Sequence, residues 1–203
     1  AIAHNYAELC RLCGPGVTPT CVLKANAYGH GALEVARALV TAGARSFAVS
    51  CIREALELRR GGIGGECLVM GTLEGPGLPA ALEADVQVTV VSLDQARLVE
   101  EAARRAGRRG AVHIKVDTGM HRLGFSPGRE GLEDILALGA LPHVQVQGIY
   151  SHLALISREG DEAQHRLLLA LYQALRARGM EIPQMHLCDS IGLVRYPKWR
   201  YDR

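Results

Sequence analysis

The sequence is poor in lysine, in aromatic residues and in long hydrophobic runs. Its lysines are Lys24, Lys115 and Lys198 among 23 basic residues, and aromatic side chains make up 4% of 203 residues. It contains no basic block and no basic stripe with aromatic spacing, so nothing argues for nucleic acid as a partner. The apolar runs fall short of the roughly 20 residues that a transmembrane helix needs, and residues 1–20 lack a signal-peptide pattern. We therefore expect a cytoplasmic protein.

Cysteine is too sparse for a disulfide framework. Six cysteines are spread over a chain whose 48% hydrophobic content can fill a core without cross-links. Cys10 and Cys13 form a C-x-x-C pair, but Ile2, Tyr6 and Leu9 recur with them at helical spacing. No second pair completes a tetrahedral zinc set, and no H-E-x-x-H spacing occurs. We expect reduced, core-facing thiols rather than a redox or metal site.

The apolar pattern alternates between strand-like and helix-like segments. Seven candidate strands occupy residues 20–24, 46–51, 66–70, 86–91, 111–116, 144–150 and 184–187. Helical periodicity lies between them, over residues 31–42, 53–60, 78–83, 93–106, 132–138 and 161–178. Gly43 and Gly179 are predicted to end helices in the left-handed conformation, and Ser92 to cap one at its start. Strands that are apolar on both faces favour a parallel sheet covered by helices.

Two architectures fit this repeat: a doubly wound open sheet and a closed (β/α)8 barrel. The first candidate strand is followed by K-A-N-A-Y-G-H-G, which is neither a dinucleotide nor a P-loop glycine pattern. Polar residues instead follow several separate strands: Lys24; Lys115, Asp117 and Arg122; His152; Asp189 and Ser190. Loops after the strands of a barrel converge on one face, so this distribution favours the barrel. Since such domains typically need about 250 residues, the sequence predicts an α/β (β/α)8 barrel without its eighth strand.

Lys24 is the first candidate catalytic residue. Partial burial at the end of an apolar strand lowers the pKa of a lysine and makes its amine nucleophilic, as a Schiff-base lysine requires. A strand-end lysine can equally lie at the surface with only its aliphatic stem packed. Taken alone, the position leaves both interpretations open.

Five segments, in order along the chain, resemble the alanine racemase family. They are V-L-K-A-N-A-Y-G-H-G (22–31), E-A-L-E-L-R (54–59), H-I-K-V-D-T-G-M-H-R-L-G-F (113–125), G-I-Y-S-H (148–152) and H-L-C-D-S (186–190). The first is similar to the cofactor-lysine signature of these pyridoxal-phosphate enzymes, in which an eight-stranded barrel precedes a β domain. The resemblance implies that residues 1–203 are part of the barrel of a racemase. Such an enzyme interconverts L- and D-alanine, or L- and D-serine, and supplies D-amino acid for cell-wall peptidoglycan.

The resemblance implies a role for each candidate residue. Lys24 would hold pyridoxal 5'-phosphate as an internal aldimine and act as the base on one face of the substrate α-carbon, with the ring as electron sink. Tyr28 and Ser190 would contact the cofactor phosphate. Arg122 would bind the phenolic oxygen and the substrate carboxylate, a task suited to a charged donor fork. His152 would contact the cofactor ring.

Two positions leave alternatives open. Lys115 matches a position that is often a carbamylated lysine in the family. Its apolar strand favours a carbamate paired with Arg122, whereas the alternative is an ordinary ammonium paired with Asp117. Asp189 departs from the Asn that the family most often has. A carboxylate near a phosphate dianion would repel it, which would weaken cofactor binding or mark a divergent subgroup.

Other parts of the family pattern are expected outside these residues. The second base would be a tyrosine from the C-terminal β domain of the partner subunit in a homodimer, and an arginine for the pyridine nitrogen would follow Arg203. We therefore expect a chain cut at both ends and, by itself, a poor racemase. Two alternatives remain: a barrel protein that binds pyridoxal phosphate without racemising amino acids, and an inactive or regulatory racemase-like domain.

Overall fold

A computed structural model describes residues 1–73 and 75–203, which form two compact units, Ala1–Thr89 and Val90–Arg203. The first unit contains α1 (Ile2–Cys13), β1 (Cys21–Val22), α2 (Lys24–Tyr28), α3 (Ala32–Thr41), β2 (Ser46–Val49), α4 (Ile52–Arg60), β3 (Glu66–Val69), a 3-10 turn (Gly75–Gly77) and α5 (Leu78–Glu83), and β4 (Gln87–Val90) follows at the junction. The second unit contains α6 (Leu93–Arg105), β5 (Gly110–Lys115), α7 (Arg129–Gly139), β6 (Val144–Tyr150), α8 (Arg158–Ala177), β7 (Gln184–His186), α9 (Ser190–Arg195) and a 3-10 turn (Pro197–Trp199).

The strands of the first unit pair in sequence order, and every pair is parallel. β1 pairs with β2, β2 with β3 and β3 with β4. All four residues of β2 are buried, as expected for a strand covered on both faces. The fully buried side chains of this core include Phe47, Leu58, Leu68 and Leu78, which come from two strands and two helices.

The second unit repeats the pattern with a bulge. β5 pairs in parallel with β6, and β6 with β7. The β5–β6 register advances from Val112↔Val146 to His113↔Gly148, so Gln147 is an extra residue on β6. A Cβ on Gly148 would lie 2.7 Å from Nδ1 of His113, so a side chain here would collide with the buried imidazole.

These strands and helices confirm the α/β fold class and agree with an incomplete (β/α)8 barrel. Gly43 and Gly179 have φ values of 100° and 83°, and Ser92 caps α6 by accepting the N–H of Gln95 at 3.3 Å, all as predicted. α9 is a helix that the periodicity does not predict. In the part of the chain that the structure describes, no helix combines the length and the apolar character that a membrane span requires.

The strand ends differ from the sequence prediction. β1 covers Cys21–Val22 rather than residues 20–24, so Lys24 follows the strand instead of ending it. β6 covers residues 144–150 as predicted, and His152 lies two residues beyond it. After β1 the backbone leaves the ladder early, while the apolar pattern continues through Leu23.

Candidate active-site residues

The segment after β1 is a single turn wound in the left-handed sense. Ala25, Asn26, Ala27 and Tyr28 have φ values between 52° and 55°. For residues other than glycine, this conformation costs roughly 1–2 kcal/mol each, because Cβ approaches the following carbonyl oxygen. None of the four is glycine, so the surroundings must compensate for the strain.

Side-chain hydrogen bonds hold this turn from two directions. Oδ1 of Asn26 accepts the N–H of Ala32 at 2.7 Å, which ties the turn to the start of α3. Glu54, in the first turn of α4, accepts the N–H of Ala25 with Oε1 at 2.8 Å. Its other oxygen, Oε2, accepts the N–H of Ser50 at 2.7 Å. One carboxylate therefore joins the turn to the end of β2.

The turn places Lys24 and Tyr28 side by side. Nζ of Lys24 lies 5.8 Å from the centroid of the Tyr28 ring, within the roughly 6 Å range of a cation–π contact. Lys24 is half-buried, and Tyr28 is 62% exposed. An amine and a phenolic hydroxyl are thus presented together after β1.

Lys115 is a buried lysine at the end of β5. It is 4% exposed, and its Nζ donates to the carbonyl of Val116 at 3.1 Å and lies 5.4 Å from the centroid of the Tyr150 ring. Burial lowers the pKa of Lys115 to about 8, with Asp117 opposing this effect and Arg122 adding to it. A lower pKa increases the neutral fraction of the amine, which is its nucleophilic form.

The loop after β5 carries Arg122, and backbone hydrogen bonds join the two ends of this loop. The N–H of Phe125 donates to the carbonyl of the last residue of β5 at 2.8 Å, and the N–H of Asp117 donates to the carbonyl of Phe125 at 2.9 Å. Oδ1 of Asp117 accepts the N–H groups of Gly119 and His121 at 3.1 and 2.9 Å. Burial alone would raise the pKa of Asp117, but these donors leave it lowered. The Arg122 side chain is exposed on this loop.

The loop after β6 carries His152 and is held by a buried polar network. The hydroxyls of Thr118 and Ser151 lie 2.7 Å apart, and Ser151 donates to the carbonyl of Val116 at 2.8 Å. Nε2 of Gln164 lies 3.0 Å from the carbonyl of His152 and 3.4 Å from Oγ1 of Thr118. The network therefore joins the loops that follow β5 and β6.

Sequence reasoning assigns no role to Gln164, although a pattern points to it. Gln164 is 4% exposed and lies on α8 in one stripe with Leu168, Leu171 and Leu175. A polar residue on the apolar stripe of a helix needs hydrogen-bond partners in the core. Such a residue is a candidate for holding loops in place.

Ser190 begins α9 and is exposed. The residue before it, Asp189, is the N-cap of this helix. A single oxygen, Oδ1, accepts the N–H groups of both Ile191 and Gly192, at 3.0 and 2.8 Å. An Asn could cap the helix with the same oxygen, so what the departure from Asn adds is a negative charge next to Ser190.

Two histidines without a role in the sequence analysis form a pair, in which His113 is fully buried and His186 is half-buried. Nδ1 of His113 lies 3.0 Å from Nε2 of His186, and His186 stacks on Tyr150 with centroids 4.5 Å apart. Burial lowers the pKa of His113 to about 3, and Arg203 contributes to this shift. Burial also lowers the pKa of His186, with His113 and Arg203 adding to the effect. Both imidazoles are therefore neutral near pH 7.

The C-x-x-C pair lies on α1, where Cys13 is buried and Cys10 is half-buried. Neither cysteine forms a disulfide bond within the described residues. Within residues 1–73 and 75–203, no three side chains of His, Cys, Asp or Glu are grouped as a metal ion would require.

The candidate residues form sets within each unit. Lys24 and Tyr28 stand together in the first unit, and Lys115 lies near Asp117 and Arg122 in the second. His152 lies on the loop after β6, and Ser190 begins the helix that follows β7. An amine, a guanidinium and exposed hydroxyls are the groups that an anionic aldehyde cofactor such as pyridoxal phosphate would use, so the donor chemistry fits that cofactor.

Comparison with known proteins identifies the family. A family model, the N-terminal domain of alanine racemase, matches residues 1–203. Alanine racemase from Desulforamulus reducens is 38% identical over 206 residues, covering 100% of this chain and 55% of that protein. Alanine racemase from Clostridium tetani is 34% identical over 200 residues, covering 97% of this chain and 51% of that protein. The chain thus spans about half the length of the curated relatives it matches.

Solved structures match the fold. Alanine racemase from Clostridium difficile 630 superposes with a TM-score of 0.93 at 28% identity, covering 99% of this chain and 52% of that one. Alanine racemase from D-cycloserine-producing Streptomyces lavendulae gives a TM-score of 0.92 at 31% identity, covering 99% and 54%. The molecule is therefore an α/β domain with the fold of these racemases. It belongs to the alanine racemase family.

Proposed function

We propose that this chain is the cofactor-binding part of a pyridoxal-phosphate-dependent racemase that interconverts L- and D-alanine and thereby supplies D-alanine for peptidoglycan. The observation that carries the proposal is the left-handed turn after β1, which presents the Lys24 amine beside the Tyr28 ring. The names of the relatives favour alanine over serine as substrate.

In this proposal the residues of the first unit bind the cofactor and move the proton. Pyridoxal phosphate, when bound, supplies an electron-withdrawing ring that stabilises negative charge at the substrate α-carbon. The Lys24 amine would hold the cofactor covalently and would accept the α-proton of the substrate on one face. The Tyr28 hydroxyl would donate a hydrogen bond to a phosphate oxygen.

The residues of the second unit orient the reactants. Arg122 would bind the phenolic oxygen of the cofactor and the substrate carboxylate with its guanidinium fork. His152 would contact the cofactor ring, and the Ser190 hydroxyl would donate to the phosphate. Delivery of a proton to the opposite face needs a second acid, which we assign to a tyrosine of the partner subunit in a homodimer, outside these 203 residues.

We further propose that Lys115 is carbamylated. Its neutral amine attacks CO2, so that a C–N bond forms, one C=O bond becomes a carboxylate C–O bond, and the amine releases a proton to solvent. Burial and a pKa of about 8 support this step because they favour the neutral amine. The resulting anion would face Arg122 and hold its guanidinium in place.

The test uses the complete protein that contains this chain. Expected are a visible absorbance band of lysine-bound pyridoxal phosphate and production of D-alanine from L-alanine, both abolished by Lys24→Ala. L-serine serves as the competing substrate. If the unsubstituted protein shows the absorbance band but no racemisation, it is a cofactor-binding barrel protein instead. If the unsubstituted protein shows neither, it is an inert domain.

A further inference from the structure

We infer that Glu54 is a positioning residue for Lys24, because its carboxylate locks the left-handed turn against the end of β2. The hydrogen bonds of Glu54 are sufficient to support the claim that it locks the turn. The consequence for cofactor binding rests on the proposed function. The E-A segment that contains Glu54 is one of the family-like motifs, yet the cofactor and substrate roles leave it unused.

The first step of the argument is the place where Glu54 holds the backbone. The N–H of Ala25, which donates to Oε1 at 2.8 Å, belongs to the peptide bond that directly follows Lys24. Fixing this peptide plane fixes one backbone dihedral of Lys24. It therefore limits the directions in which the Lys24 side chain can leave the turn.

The second step is the other end of the clamp. The N–H of Ser50, which donates to Oε2 at 2.7 Å, follows β2 directly. β2 pairs with β1 through Cys21↔Phe47 and Val22↔Ala48. Glu54 thus connects the ends of two neighbouring strands, and a rigid strand serves as the anchor for a strained turn.

The third step is the reason why residue 54 is a carboxylate rather than an amide. Hydrogen bonds to a charged acceptor are roughly twice as strong as neutral ones. Glu54 also lies in the first turn of α4, where the helix dipole favours negative charge. A glutamine has one acceptor oxygen, and its NH2 group would face the second N–H donor. An isosteric amide therefore cannot reproduce a clamp that uses both oxygens.

The experiment compares Glu54→Gln with Glu57→Gln in the complete protein. Glu57 lies on the same helix, is exposed, and loses the same charge in its variant. Hydrogen–deuterium exchange of the segment 23–31 is measured without cofactor, and the dissociation constant of pyridoxal phosphate is measured by its absorbance. If Glu54→Gln does not fold, Glu54→Asp takes its place, since it keeps the charge but is one methylene too short.

We expect Glu54→Gln to accelerate exchange in segment 23–31 and to raise the dissociation constant of pyridoxal phosphate about tenfold, equivalent to 1.4 kcal/mol. Glu57→Gln should match the unsubstituted protein in both. Unchanged exchange would refute the clamp, and faster exchange with unchanged affinity would refute its role in positioning Lys24. If the unsubstituted protein fails to bind pyridoxal phosphate, the proposed function fails, and the exchange result still decides whether the clamp exists.

Discussion

The loop after β1 and the loops after β5 and β6 hold their candidate residues by different physical means. The first is strained, with four consecutive positive φ angles, and a half-buried carboxylate, Glu54, anchors it. The other two are joined by uncharged side chains that are almost fully buried: Thr118, Ser151 and Gln164. The strained turn thus depends on hydrogen bonds to a charged carboxylate, whereas the buried network depends on having every polar group paired.

This difference determines where each region is vulnerable. Water can replace part of a lost hydrogen bond at Glu54, because the site is only half-buried. In the buried network, a lost partner leaves polar groups unpaired, at about 1–3 kcal/mol each. Removal of Gln164 should therefore affect global stability most, while removal of Glu54 should mainly affect the local turn.

The largest expected effect is that of Gln164→Leu on stability. This change leaves the carbonyl of His152 and the N–H of Ala154 without the partners that the Gln164 amide provides. We expect the free energy of unfolding to fall by about 3 kcal/mol, measured by urea denaturation.

The control for this experiment is Gln173→Leu on the same helix, where the side chain is exposed. It should change the free energy of unfolding by no more than about 0.5 kcal/mol. If the two variants lose equal stability, the buried network does not join the two loops as described.

The next effect concerns acid, which should weaken the second unit before the first. The folded-state pKa of His113 is about 3, below the ordinary value of 6.5, so the unfolded chain binds a proton first as the pH falls. Stability is therefore complete above pH 6.5 and decreases as the pH falls towards 3. At pH 5 the His113 contribution alone should be a loss of about 2 kcal/mol.

The measurement is urea denaturation between pH 7 and pH 5, combined with hydrogen exchange of the strands. The first unit contains only the exposed His4 and His30, so exchange should accelerate in β5–β7 before β1–β4. Stability that does not change over this range would show that the His113–His186 pair can take up a proton without cost.

A smaller effect concerns Lys115, a buried cation of the second unit. Because the pKa of Lys115 is about 8, its amine should react with CO2 increasingly as the pH rises from 7 to 9. Carbon-13 NMR with labelled bicarbonate should detect a carbamate that disappears in Lys115→Arg. It should persist in Lys198→Arg, which changes an exposed lysine. A carbamate signal that survives Lys115→Arg would assign the modification elsewhere.

The repeat of strands and helices could be predicted because strands apolar on both faces and amphipathic helices have distinct periods. The loops could not be predicted in the same way. Four positive φ angles after Lys24 involve no glycine, so no residue type marks the turn. The partners of Glu54 are backbone N–H groups, which carry no sequence pattern, whereas Gln164 is recognisable as a polar residue on an apolar stripe.

The smallest expected effect comes from Asp189, which resembles Glu54 in accepting two backbone N–H groups. Glu54 uses one oxygen for each N–H, whereas Asp189 uses the single oxygen Oδ1 for both. An amide also has one acceptor oxygen, and Asn is as good an N-cap as Asp. Asp189→Asn should therefore keep both hydrogen bonds and change the free energy of unfolding by less than about 0.5 kcal/mol, measured by urea denaturation.

Removing this charge next to Ser190 should strengthen binding of the pyridoxal phosphate dianion severalfold, since a carboxylate repels it. Asp94→Asn, at a position whose side chain is 88% exposed in the first turn of α6, serves as the control and should leave the affinity unchanged. If Asp189→Asn binds pyridoxal phosphate more weakly, the carboxylate assists the cofactor instead of opposing it. If Asp189→Asn loses as much stability as Gln164→Leu, an amide cannot replace this carboxylate even though only one of its oxygens accepts hydrogen bonds.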